Sequence, residues 1–246
     1  PGHTDDVASM SFSHRGDCLL TGAQDGTARA WMWRGKLNSV QHIKLAASPE
    51  QIQTAHAPAM SQHFPANKPY SIWIDMVAWS CDDRYVFTSE SLRKQTKEKQ
   101  CVSSCVRVWA LPPAAFHTRP NNNGEFVHEL DDCQPTLLNT LQASDVLLQS
   151  KACFVLQPHP FEPTILASAG YDGWIRIWDA VDGTVLSEIR STRFPHAFPF
   201  QEGESFLDGS WSADGTYFAA ANLDAEMIIC GLESNDTLTN APPQQF

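Results

Sequence analysis

Apolar residues in this chain come in short runs, some alternating with polar residues and some unbroken, and the runs are closed by Asp-Gly or Asp-Asp pairs. Period-two runs bounded by such turns predict antiparallel strands joined by tight hairpins. No segment carries the 3.6-residue periodicity of a long amphipathic helix. The runs repeat. In the first set, 7–13, 17–22 and 27–31 surround the turn Asp25-Gly26. In the second, 76–80 and 85–89 flank Asp82-Asp83, and Val106-Arg107-Val108-Trp109 follows after an interruption. The third holds 152–157, 165–169, the turn Asp172-Gly173, 174–179 and 184–189, and the fourth, the most worn, holds 209–212, Asp214-Gly215, 217–221 and 227–230. Trp174, Arg176 and Trp178 share one strand face while Ile175 and Ile177 share the other, so both faces need cover. Sheets stacked side by side around an axis provide it, because each has a neighbour on either side. The predicted class is therefore all-β, with sheet units over 2–45, 70–142, 146–191 and 204–232, insertions over 37–68, 90–104 and 112–135, and a C-terminal extension over 233–246.

Composition narrows the function classes. The chain has 246 residues, 42% of them hydrophobic, with 8 Trp and 13 Phe, which is enough to bury a sizeable core. Against 28 acidic side chains stand 17 basic ones, a net charge of −11. That balance opposes duplex nucleic-acid binding, which needs a surplus of Lys and Arg, and favours basic partners. Seven cysteines, Cys18, Cys81, Cys101, Cys105, Cys133, Cys153 and Cys230, are odd in number and do not form a disulfide framework in a chain this long, so a reducing, intracellular compartment is expected. Cys101 and Cys105 lack a second Cys or His pair at zinc spacing, and the sequence predicts neither metal nor cofactor. No apolar run approaches the ~18 residues of a membrane span. The chain opens at Pro1 in mid-pattern, which reads as a longer chain cut there.

The motifs Gly2-His3, Thr21-Gly22-Ala23-Gln24-Asp25-Gly26-Thr27 and Ile175-Arg176-Ile177-Trp178-Asp179 resemble those of the WD-repeat family. The resemblance implies a WD40-type β-propeller of about four blades, half of a seven- or eight-bladed ring. It also implies a buried hydrogen-bonded chain of His3, Thr21, Asp25 and Trp31 in repeat one, and of Ser168, Asp172 and Trp178 in repeat three, where Gln149 stands in the place of the His. Repeats two and four lack most of this set. Phe12-Ser13, Asp25-Gly26-Thr27-Ala28-Arg29, Met76-Val77-Ala78-Trp79, His159-Pro160-Phe161 and Ser168-Ala169-Gly170 resemble more particularly the C-terminal half of the WD-repeat region of the bromodomain and WD-repeat proteins. That likeness implies a nuclear, chromatin-associated interaction scaffold, in some relatives a substrate receptor of a cullin-4 ubiquitin ligase.

Catalysis has no convergent signature. Asp5-Asp6, Asp82-Asp83 and Asp131-Asp132 are neighbours in sequence, whereas acid–base pairs converge from different elements, and turn chemistry accounts for them. A phosphate-binding Gly-rich loop is absent. The expected role is a non-catalytic platform binding proteins or peptides, with a general scaffold in RNA processing or trafficking as the alternative. Gln24 and Tyr171, each just before a turn Asp, are the candidate peptide contacts. Arg34, in Trp31-Met32-Trp33-Arg34, is the candidate contact to a cullin-4 ligase adaptor, although that motif lacks the Asp after the first Trp. An acidic platform would steer Lys- and Arg-rich histone tails. The insertions are expected to be polar surface loops, and Arg93, Lys94, Lys97 and Lys99 a solvated basic patch on one of them. Half a ring leaves apolar blade faces bare, so the segment is expected to pack on the missing half or on another copy.

Overall fold

The computed structural model of the chain describes residues 2–33, 40–64, 69–111, 119–120, 126–127, 134–142, 152–190, 205–223 and 227–231. In chain order these form β1 (Val7–Phe12), β2 (Cys18–Ala23), β3 (Ala28–Trp33), β4 (Val40–Leu45), α1 (Pro49–His63), β5 (Tyr70–Trp79), β6 (Tyr85–Lys94) and β7 (Cys101–Ala110). They continue with β8 (Arg119–Pro120), β9 (Phe126–Val127), β10 (Thr136–Leu141), β11 (Cys153–Pro158), β12 (Ile165–Gly170), β13 (Trp174–Asp179), β14 (Thr184–Arg190), β15 (Phe206–Trp211), β16 (Tyr217–Asn222) and β17 (Met227–Gly231).

Four antiparallel sheets result: β1-β2-β3-β4, β5-β6-β7-β10, β11-β12-β13-β14 and, among the described residues, the three-stranded β15-β16-β17, beside a small β8-β9 pair. They are the four blades the sequence predicts, in an arrangement that does not close into a ring. Tight turns set the registers. Gly26 and Gly173 adopt φ of 76° and 75°, a left-handed conformation that a β-carbon disfavours, and this lets each Asp-Gly pair reverse the chain between second and third strands. Strands β1, β5, β11 and β15 begin their blades and lie against one another from blade to blade, Ser9 Oγ accepting from the Val77 N–H at 3.3 Å.

The core is divided into slabs between blades. Leu20, Ala30 and Met32 of the first sheet meet Ile74, Val77 and Trp79 of the second, while Phe87 and Val108 of the second meet Leu156, Leu166 and Trp178 of the third. Val155, Ala167 and Ile177 meet Phe206, Phe218 and Cys230 of the fourth. Apolar surface buried this way supplies about 25 cal/mol per Å², so the alternating strands are stable only as a stack.

Two expectations are corrected. The interval 37–68, read as a polar loop, holds the outer strand β4 and the 15-residue helix α1. Ser48 caps α1, accepting from the Gln51 N–H while the Gln51 side chain returns to the Ser48 N–H, and Pro49 stands in the first turn. The second correction concerns 90–104. Strands β6 and β7 run ten residues each and pair from Tyr85↔Ala110 out to Arg93↔Cys101, so the basic residues Arg93 and Lys94 sit on a strand and only the tip of the hairpin is loop. The helix holds this extension upright: Ala59, Met60 and Phe64 pack on Ile72, Leu92 and Val102. Gln149, Arg34 and Cys133, most of 112–135 and the extension over 233–246 lie outside the described residues.

Candidate functional site

In the first blade the strand ends bring together the four residues the sequence singles out. His3 Nδ1 lies 3.0 Å from Asp25 Oδ2 and His3 Nε2 lies 2.7 Å from Thr21 Oγ1, and the Thr21 oxygen accepts from Trp31 Nε1 at 2.8 Å. The network fixes the tautomer: Nδ1–H donates to the carboxylate, and Nε2 accepts the Thr21 hydroxyl proton. Burial alone would raise the Asp25 pKa, but hydrogen bonds from the Thr27 hydroxyl, the Thr4 N–H, His3 and the Thr27 N–H outweigh it and hold the carboxyl at about 2.

Blade three departs from this pattern. Trp178 Nε1 donates to Ser168 Oγ at 2.8 Å, but Asp172 turns to Arg176, which also donates to Glu188 at 2.9 Å. Blade two keeps more of the set than the sequence reading allowed, since Trp109 Nε1 donates to Thr88 Oγ1 at 3.0 Å. The extended hairpin separates those two by 21 residues, against 10 in blades one and three, and the altered spacing hid the pair.

Blades are clasped at the opposite ends of their strands. Asp83, buried and at φ 60°, accepts from the backbone N–H of His14 (2.8 Å) and of Arg15 (3.1 Å) and from Arg15 Nε (3.3 Å), joining blade one to blade two. His159 does the same for blades three and four: Nδ1 accepts from the Glu162 N–H at 2.9 Å, and Nε2 donates to the Gly215 carbonyl at 2.9 Å. Asp82 caps its own turn, bonded to Ser80 Oγ at 2.7 Å. These carboxylates are occupied with turn and inter-blade bonding, and Asp131-Asp132 lies outside the described residues.

Beneath α1 is a wholly buried polar cluster that the sequence reading missed. Glu90 accepts from Arg107 Nη2 at 2.6 Å and Nε at 2.8 Å and faces His56 Nε2 at 3.1 Å, while His56 Nδ1 meets Ser103 Oγ at 2.8 Å. Desolvation would raise the Glu90 pKa, yet the bonds from His56 and Arg107 bring it below the usual range. His56, Glu90 and Cys105 stand close enough together to ligate a metal ion. The chemistry argues otherwise. The Arg107 guanidinium takes both Glu90 oxygens and supplies the positive charge, and burial pushes the Cys105 thiol far up, away from the thiolate that binds metals. The cluster fastens the helix instead: Arg107 Nη2 also reaches the Gln51 carbonyl and Gln142 donates to the Ala55 carbonyl. Burial likewise raises Cys101 and Cys153 to about 12, which leaves both as unreactive thiols.

In blades one to three the turns between second and third strands lie on one face, where the candidate contacts Gln24 and Tyr171 are found. Gln24 is half-buried, and its N–H bonds the Asp6 carbonyl at 2.9 Å. Tyr171 is 39% exposed and packs on Phe154 with ring centroids 4.8 Å apart and the rings tilted by 51°. A cavity of about 530 Å³ opens beside that pair, walled on its other side by the overhanging β6–β7 hairpin and by His63 at the end of α1. Among the described residues no helix is long and apolar enough to cross a membrane.

Residues 1–32 and 149–179 match the family described as WD domain, G-beta repeat. A bromodomain and WD repeat-containing protein of Dictyostelium discoideum is 21% identical, aligned over 100% of this chain and 9% of its own length. WD repeat-containing protein pop1 of Schizosaccharomyces pombe is 23% identical over 76% of this chain and 22% of its own length. In structure the chain resembles the C-terminal WD40 domain of Sif2, with a TM-score of 0.56 at 13% identity, over 95% of this chain and 48% of that one. The fold is thus of WD40 type, and the chain spans only a small part of the relatives it matches in sequence and about half of that domain.

Proposed function

We propose that these four WD-type blades form a non-catalytic protein-interaction scaffold. The observation that carries this reading is the turn-bearing face, where α1 and the extended β6–β7 hairpin stand up beside the exposed Tyr171 and the half-buried Phe154 and frame a concave, mixed polar and aromatic surface. Partner-binding surfaces concentrate on such scaffold-borne loops, and aromatic anchors beside pockets carry most of their energy. Photo-crosslinking residues placed at positions 24 and 171 test it. Discrete protein adducts at both positions are expected, and background labelling alone would overturn the reading.

At the finer level, the likeness to a bromodomain and WD repeat-containing protein supports a nuclear, chromatin-associated role. The charge of −11 supports steering of Lys- and Arg-rich histone tails. Histone-tail peptides titrated across a salt series should bind more weakly as salt rises, and absent or salt-independent binding removes that reading. For a cullin-4 adaptor contact, Arg34→Ala is expected to weaken adaptor pull-down, and an unchanged pull-down overturns it.

A further inference from the structure

The basic residues of the β6–β7 hairpin are not equivalent. Arg93 is committed internally: Nη2 pairs with the buried Asp75 at 2.9 Å, Nε donates to Ser91, Nη1 donates to the Lys99 carbonyl, and the guanidinium lies 4.4 Å from the Trp73 ring. It braces the hairpin with its charge already neutralised. Lys94 and Lys99 differ. Lys94 Nζ donates only to Gln100, at 3.3 Å, and Lys99 Nζ lies over Trp73 at 4.9 Å; among the described residues neither is ion-paired. Both face the same 530 Å³ cavity, and among the described residues of its lining Glu98, at the exposed tip, is the only carboxylate. The Lys94 charge is felt locally: burial first, and then Lys94, pushes the His63 imidazole below its usual range. The opposite wall is apolar, made by Phe154, Tyr171 and Leu223.

We infer that this cavity binds an acidic peptide segment, an anionic side chain sitting between Lys94 and Lys99 and an apolar side chain lying against Phe154 and Tyr171. The inference rests on the scaffold reading and names the partner chemistry of its face. A volume of this size takes a few side chains. A long polyanion, nucleic acid or anionic membrane, would be repelled by the −11 of the whole chain, whereas a short peptide meets mainly the local field. The cavity thus has the reverse polarity to the molecule that bears it.

Fluorescence anisotropy on the intact chain tests this with five probes: a labelled Glu/Asp-rich nonapeptide with a central Leu, the same peptide with phosphoserine for its acidic residues, a Leu-free version, a Lys-rich version and a single-stranded oligonucleotide. The Leu-bearing acidic or phosphorylated probe is expected to bind, whichever anion is preferred identifying the source. Binding should weaken about tenfold in Lys94→Gln/Lys99→Gln and in Tyr171→Ala, and tighten about twofold in Glu98→Gln. The Leu-free probe should bind about tenfold more weakly. Acidic-probe binding indifferent to all of these substitutions, equal binding of the oligonucleotide, or a Lys-rich probe that displaces the acidic one from the cavity overturns the inference. Failure here with the position-171 crosslinks retained leaves the scaffold reading standing, whereas loss of both removes both.

Discussion

Asp25 shows how one carboxylate can be legible from the sequence and yet owe its behaviour to neighbours. The Asp-Gly turn marks the position, but the bonds that depress its pKa arrive from Thr27, Thr4 and His3 once the strands align. Because the folded carboxyl sits at about 2 rather than the ordinary 3.8, its contribution to stability is full above 3.8 and is lost as pH falls from there towards 2. Asp25→Asn should therefore flatten part of the acid-side decline in stability over that interval. Urea denaturation at stepped pH measures it; part of the decline should remain, because Glu90 and Asp214 are also held below their usual range. Asp83 makes the contrasting case. In sequence it is half of an Asp-Asp turn, and only the stacking of blade one on blade two delivers its His14 and Arg15 donors. Asp83→Ala is expected to cost about 1.5–3 kcal/mol in chemical denaturation, the range for a hydrogen bond to a charged group.

Among the elements, α1 is the one that periodicity missed, and the reason is physical. Its buried positions are Ala55, His56 and Ala59, two of them small and one polar, so no apolar stripe marks the docking face. The legible signal was the cap, Ser48-Pro49-Glu50-Gln51, which is a capping box with Pro at the helix start. What holds the helix is the buried set of His56, Glu90 and Arg107 on blade two, whose members are remote in sequence. Removing one partner strands the others. Glu90→Gln should destabilise the protein by about 3–5 kcal/mol, whereas replacing both Glu90 and Arg107 by apolar residues of similar volume should cost far less. His56→Ala is expected to loosen α1 selectively, read as faster proteolysis within 49–63 with the blades still protected.

For the whole molecule, stacking buries the facing sides of successive blades, while on the outer sides of the two end blades several apolar side chains of the described residues stay exposed. On β1, Ser9 and Ser11 meet blade two, while Met10 and Phe12 point away from it, 66% and 60% exposed. At the other end Leu207 and Tyr217 are exposed. Apolar surface of this kind is an association site. At micromolar concentration the chain alone should exceed its 27.3 kDa in light scattering, and Met10→Lys should lower the mass towards that value. A dilution-resistant monomer of the unsubstituted chain would count against association through these faces. Charge, too, is organised at this scale: the composition shows an acidic protein, and only the extended hairpin places Lys94 and Lys99 together over a cavity.

The repeat number, the strand class, the Asp-Gly turns and the first blade's hydrogen-bonded residues were set by the sequence itself, because strand alternation and turn chemistry act over a few residues and leave a local pattern. Tertiary structure alone decided the helix on blade two, the pairing of Thr88 with Trp109 across the hairpin, the inter-blade clasps of Asp83 and His159, and the basic cavity. Each depends on groups distant along the chain meeting in a buried or concave place, where exclusion of water gives a hydrogen bond or a charge its strength, and no local pattern records that meeting.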